Sequence, residues 1–263
     1  MDTSKLQATL FESRDRVALI TLNRVKKLNS MNQQIIDDLN YIMDELENDD
    51  SCRVLVITGA GKAFCAGGDM NAEIKMDVMT AFHGGLIGQR LLNRIQAFPK
   101  PVIAAINGFC LGGGMELALA SDIRFCSDKA KLGLTEVNMG VIPGCGGSQR
   151  LPRLIGASKA KMVMMSGLQY TAAEAYEIGM VDKVVPADKL MDEVMAYAKN
   201  MAAKPPLALE YVKRAVDEGG EMNLEQGLVF ESALFAHLYS TEDQHEAMAA
   251  FLEKRAPKPF QGK

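Results

Sequence analysis

The sequence predicts an α/β chain, and three observations predict it. Short aliphatic runs recur through most of the first 185 residues, stretches with apolar residues at helical spacing separate them, and after Val185 only helical stretches follow. Strands alternating with helices indicate a layered core of sheet and helix. Here the pattern closes in a helical appendage.

The opening 30 residues read as a hairpin: an alternating stretch to Ser13, a turn at Arg14 and Asp15, then Val17, Ala18, Leu19, Ile20 and Leu22. From Met31 to Glu47 an apolar stripe of Met31, Ile35, Ile36, Leu39, Ile42, Met43 and Leu46 lies opposite a face of acids, so this helix faces a core. Strands follow at Val54–Ile57 and, after the Lys100-Pro101 punctuation, at Val102–Ile106, with further buried strands at Ile123–Cys126 and Val181–Val185. The helices expected between them cover Val78–Gln96, Gly114–Ala120, Ala157–Ser166 and Ala172–Ile178. The closing helices cover Asp188–Met201, Pro205–Asp217, Leu224–Tyr239 and Thr241–Lys254, with Pro205 suited to a first helical turn and Gly219-Gly220 a breaker. This divides the chain into an α/β core, residues 1–195, and a helical region, residues 196–263.

With 48% hydrophobic and 24% charged residues the chain has an ordinary globular composition. At this length about three quarters of the unfolded surface can be buried, so a core needs neither metal nor disulfide. The formal charge of -4 offers no general cationic field, which argues against a nucleic-acid partner. Five cysteines without a C-x-x-C pair fit free thiols in a reducing compartment. No apolar run approaches membrane-spanning length, and the N-terminus shows neither a signal-peptide core nor the acid-poor composition of a transit peptide, so the expectation is a cytoplasmic protein with no membrane partner.

Chemistry concentrates between Val102 and Glu136. Gly112, Gly113 and Gly114 follow a strand and precede the helical run MELALASD. Free N–H groups at such a helix start, and the positive end of its dipole, favour an anion, although three glycines equally suit close packing of strand against helix. A second glycine turn, TGAGKAFCAGGD over residues 58–69, lacks the phosphate-loop spacing, since Val56 stands at the first glycine position and Ala63 follows Lys62. Backbone N–H groups near Ala66 could instead join Gly113 as a two-donor oxyanion site. Glu116 on its own suits a helix start, and Glu136 a solvated turn; apolar surroundings make both candidates for a raised pKa and acid-base work. His83, His237 and His245 show no metal-ligand spacing, and Ser148 lacks the G-x-S-x-G elbow of a serine nucleophile.

Taken together, FCAGGD (64–69), KPVIAAINGFCLGGGMELALASDIR (100–124), LGLTEVNMGVIPGCGGSQRL (132–151), EAYEIGMVDKVV (174–185) and the C-terminal STEDQHEAMAAFLEKRAPKPF (240–260) resemble the crotonase, or enoyl-CoA hydratase/isomerase, superfamily. The resemblance implies a crotonase-type spiral of ββα units with a helical C-terminal trimerisation region, assembled as a homotrimer or a dimer of trimers. It implies an acyl-CoA thioester substrate, with the backbone N–H groups of Ala66 and Gly113 holding the thioester oxygen. Coenzyme A is then part of the substrate, and no separate cofactor or metal is expected. The hydratases of the superfamily resemble this chain in carrying one Glu after the triple glycine and another in the following turn. By that likeness Glu116 activates water and Glu136 exchanges the C2 proton of a 2-enoyl-CoA. Lys27, Leu28, Gly68, Asp69 and Met70 are carried over as contacts to CoA, and Phe251 and Lys254 as contacts to a neighbouring subunit's CoA. The chain departs from the family pattern at Thr135, where proline is frequent, and at Cys65 and Gly68, where alanines are common.

Overall fold

A computed structural model describes residues Met1–Lys263. Strands β1 (Thr9–Arg14) and β2 (Val17–Leu22) pair antiparallel around Asp15 and Arg16, which have φ of 54° and 65°. Two left-handed residues match the twist of the flanking strands, so the turn falls one residue later than the sequence suggests. Helix α1 (Gln33–Glu47) starts where the Asn32 side chain accepts the Ile35 N–H, and it buries Ile35, Leu39, Ile42, Met43 and Leu46.

The chain then winds in repeated turns. The first turn contains β3 (Val54–Gly59), β4 (Ala63–Cys65), a short α2 (Met70–Glu73) and a long α3 (Val78–Gln96). The second contains β5 (Val102–Ile106), β6 (Phe109–Leu111) and α4 (Gly113–Ala120). The third contains β7 (Ile123–Ser127), β8 (Lys131–Gly133), a 3-10 turn at Glu136–Met139, α5 (Gly147–Ile155) and α6 (Ala157–Ser166). Then come β9 (Tyr170–Thr171), α7 (Ala172–Ile178) and β10 (Lys183–Val185). Each full turn gives one strand to a larger sheet, one to a smaller sheet, and then helix, which is the ββα spiral.

The larger sheet has the order β1-β2-β3-β5-β7-β10 and is parallel after its opening hairpin. Leu55, Ile57, Ala104 and Ile106 point into the main core with α1, α3 and α4, while Val54, Val56, Ile103 and Ala105 point to the other face. That second face is covered by Leu190, Val194, Ala198 and Ala202 of α8 (Leu190–Ala202). A sheet buried on both sides explains why its strands read as unbroken aliphatic runs.

This packing corrects the boundary at residue 195. It falls inside α8, whose buried stripe continues on the sheet as far as Ala202. The helices beyond are α9 (Pro206–Asp217), α10 (Leu224–Leu238) and α11 (Glu242–Leu252). Helices α9 and α10 bury no residue fully, and α9 is held to the core by Lys213, whose ammonium lies 2.9 Å from the Asp122 carboxylate. No helix is long and apolar enough to cross a membrane. The smaller sheet, β4-β6-β8-β9, is absent from the sequence expectations because strands of two or three residues are too short to show a period of two.

Candidate active site

The three glycines at the start of α4 have three different jobs. Gly112 has φ 51° and ψ -125°, a conformation that L side chains rarely adopt. A Cβ on Gly114 would lie 1.9 Å from the Cys65 carbonyl oxygen, so this glycine allows α4 to start hard against the end of β4. A Cβ on Gly113 would meet only ordinary contacts: Gly68 N at 3.6 Å, Gly67 C at 3.7 Å and Glu116 Oε2 at 4.0 Å. Close packing is therefore the role of Gly114, and the space above Gly113 is open.

The Gly113 N–H heads α4 and donates to no protein group. Facing it is the turn at residues 66–69, which is stitched to the segment 28–31 by three hydrogen bonds. Ala66 N–H donates to Leu28 O (3.0 Å), Met31 N–H to Gly67 O (2.8 Å) and Asp69 N–H to Met31 O (3.0 Å). This corrects the expectation for Ala66, whose N–H is already spent. The N–H groups of Gly67 and Gly68 are both without a partner, and it is that of Gly68, carried over from the resemblance only as a CoA contact, that faces Gly113. Nothing in the run Ala66-Gly67-Gly68 distinguishes the positions by side chain, so only the hydrogen-bond pattern can place the donor.

Glu116 arises from the first turn of α4 and is only 2% exposed. It does not cap its own helix. Its Oε1 accepts the N–H groups of Cys145 (2.7 Å) and Gly147 (2.8 Å), which leaves Oε2 directed at the space above Gly113. Burial raises its pKa, opposed by those two N–H groups and by the charge of Arg150. Gly147 leaves room for this carboxylate, since a Cβ there would lie 2.9 Å from Pro143 Cβ and 3.1 Å from Glu116 Cγ. Arg150 holds this loop from behind, donating to Cys145 O (3.1 Å), Gln96 Oε1 (2.8 Å) and Asn93 Oδ1 (2.6 Å).

Glu136 opens the 3-10 turn after β8, and both its carboxylate oxygens are buried without a hydrogen-bond partner. Its Oε1 lies 3.3 Å from where a Gly112 Cβ would be, so the glycine turn brings both carboxylates to one place. Burial pushes the Glu136 pKa up to about 7, with the like charges of Glu116 and Glu73 adding to the rise. The solvated-turn reading of this residue is set aside by that burial.

Lys27, Leu28, Gly68, Asp69 and Met70 form one rim beside the donors. Leu28 and Asn29 are both left-handed, and the Asn29 side chain donates to Ala60 O and Ala63 O, latching the turn to β4. Asp69 pairs with Arg24 at 2.8 Å, and that hydrogen-bonded partner holds its pKa low. Phe251, 83% exposed, and Lys254 lie near the end of α11 and bond to no residue of this rim. Sequence reasoning missed the donors from Cys145 and Gly147, the brace Arg150, and Glu73. The first two had a signal in the glycine-rich GCGG stretch. Glu73 had none, because its place depends on the path of α2.

The arrangement can hold an oxygen that becomes anionic at two preplaced N–H groups, with an oriented carboxylate on one side and a protonatable one on the other. Comparisons with known proteins give the chain its relatives. The family model described as enoyl-CoA hydratase/isomerase matches residues 12–263. The chain is 38% identical to the short-chain-enoyl-CoA hydratase of Clostridium acetobutylicum, over 98% of this chain and 100% of that protein. It is 40% identical to the 2,3-dehydroadipyl-CoA hydratase of Escherichia coli, over 94% of this chain and 96% of that protein. The crystal structure of an enoyl-CoA hydratase from Bacillus anthracis superposes with a TM-score of 0.94 at 37% identity, covering 98% of this chain and 100% of that one. In sequence and in fold, the chain belongs to the enoyl-CoA hydratase/isomerase family.

Proposed function

We propose that this chain is an enoyl-CoA hydratase, a hydro-lyase that adds water reversibly across the C2–C3 double bond of a 2-enoyl-CoA thioester. The observation that carries this reading is the convergence of two carboxylates in unlike environments over two unpaired backbone N–H groups. The thioester oxygen accepts from Gly68 and Gly113. Glu116 Oε2 takes a proton from water as the water oxygen bonds to C3, electron density moves onto the thioester oxygen, and C2 then takes a proton from Glu136. Glu116 ends protonated and Glu136 ionised, and exchange with solvent restores the pair. The two glutamates act as a coupled pair that carries one proton.

Fixed donors stabilise the enolate without reorganising as charge develops; one such donor is worth about 100- to 1000-fold in rate. The rim from Lys27 to Met70 takes the CoA portion, and Phe251 and Lys254 would complete the site of a neighbouring copy in a homotrimer or a dimer of trimers. The test is to incubate the protein with crotonyl-CoA and follow the conjugated enoyl-thioester absorbance. Loss of absorbance with a product heavier by one water supports the reading. No change across a series of 2-enoyl-CoAs contradicts it.

A further inference from the structure

A third carboxylate stands at this site, and the hydration chemistry gives it no task. Glu73 ends α2, and its Oε1 occupies the place of the missing Gly68 side chain, 1.7 Å from where a Cβ would be. The carboxylate therefore rests on the backbone of the residue that supplies one oxyanion donor. It makes no hydrogen bond and no ion pair with any side chain of the chain. It also lies close enough to Glu136 and to the Cys145 thiol to raise both pKa values by like charge, so it is on the side of the donors where the proton is delivered to C2.

An acyl chain that places C1 at Gly68 and Gly113 and C2 at Glu136 must continue past these three acids. The segment around Glu73 is open and mixes apolar with polar side chains: Met70, Ile74, Met76, Met79 and Phe82 are exposed, as are Asn71, Lys75 and Asp77. A saturated tail finds surface there to cover. A tail ending in a carboxylate meets the Glu73 carboxylate, which forms no ion pair of its own; Arg24 is paired with Asp69 and Arg150 donates to the Cys145 carbonyl, and Lys75 is an exposed cation two residues along the chain.

We propose that Glu73 is a specificity-determining residue that selects against acyl groups bearing a distal carboxylate. This rests on the hydratase reading and narrows its substrate class to uncharged acyl chains. It separates the chain from its 40% identical relative, whose name specifies a carboxylated acyl group. Two like charges about 5 Å apart at a protein surface repel enough to change binding by roughly ten- to a hundredfold.

The test uses two substrates of equal length, 2-hexenoyl-CoA and 2,3-dehydroadipyl-CoA, and compares kcat/KM in the wild type, Glu73→Gln and Glu73→Ala. The ratio of the carboxylated to the neutral substrate is an internal measure that poor folding of a variant does not move. The expected result is a wild-type ratio well below one that rises about tenfold or more in both variants, since Gln keeps the shape and removes only the charge. A wild-type ratio of one or above, or a ratio that stays within twofold in Glu73→Gln, would overturn the proposal. Failure of the wild type on crotonyl-CoA and the longer neutral 2-enoyl-CoAs alike would instead remove the hydratase reading itself, so the two failures are distinct.

Discussion

Glu136 is the residue whose environment sets the pH behaviour. Its pKa near 7 lies above the usual carboxylate value, so its proton is lost as pH rises through about 7, and hydration should slow over that interval. The same shift enters stability with a definite sign. A carboxyl whose folded pKa is raised contributes its full stability below the unfolded pKa and loses it as pH rises through the folded one. Glu136→Gln has no proton to lose. Its Tm should exceed that of the wild type at pH 8 and converge with it near pH 4.5, as thermal melts at the two pH values would show. A wild-type advantage at pH 8 would contradict the buried, unpartnered carboxylate. The donor assignment is tested by replacing single backbone amides with esters. An ester at Gly68 should cost about 100- to 1000-fold in turnover. At Ala66 it should cost only a structural hydrogen bond, about 1 kcal/mol of stability, with turnover largely kept.

At the scale of elements, the site depends on how closely α4 meets β4. Gly114→Ala would press a methyl group against the Cys65 backbone oxygen, which cannot move without the strand. We expect a loss of about 3 kcal/mol or more, read from denaturant unfolding. Gly113→Ala has only ordinary contacts and should fold normally, yet its methyl fills the space above the donors and should abolish turnover. If the two variants behaved alike, the division of labour within the triple glycine would be wrong. Much of this was legible beforehand: Glu116 and Glu136 stood out because two acids flank a glycine turn in an apolar stretch. The slip from Gly68 to Ala66 was not avoidable by inspection, since a backbone donor leaves no mark on side-chain chemistry. Nor could β4, β6, β8 and β9 be read, because none is longer than three residues.

Across the whole molecule, the alternation of strand and helix was readable from periodicity, whereas the spiral came only from resemblance, since pairing partners lie far apart in sequence. The boundary at 195 failed for a related reason: α8 reads like the helices after it, and only tertiary packing assigns it to the sheet. Beyond it, Val212, Val216, Leu224, Val229, Phe251 and Leu252 are each more than 60% exposed, an apolar surface that association of copies would cover. Sedimentation should show a trimer or its dimer, and a monomer at micromolar concentration would contradict that expectation. The central claim, however, is that two glutamates work together over the Gly68 and Gly113 donors. The most direct measurement is crotonyl-CoA turnover by the wild type, Glu116→Gln and Glu136→Gln, with each variant shown to be folded. The account predicts that each substitution lowers kcat by about 100- to 10000-fold. Full activity retained in either variant would contradict it.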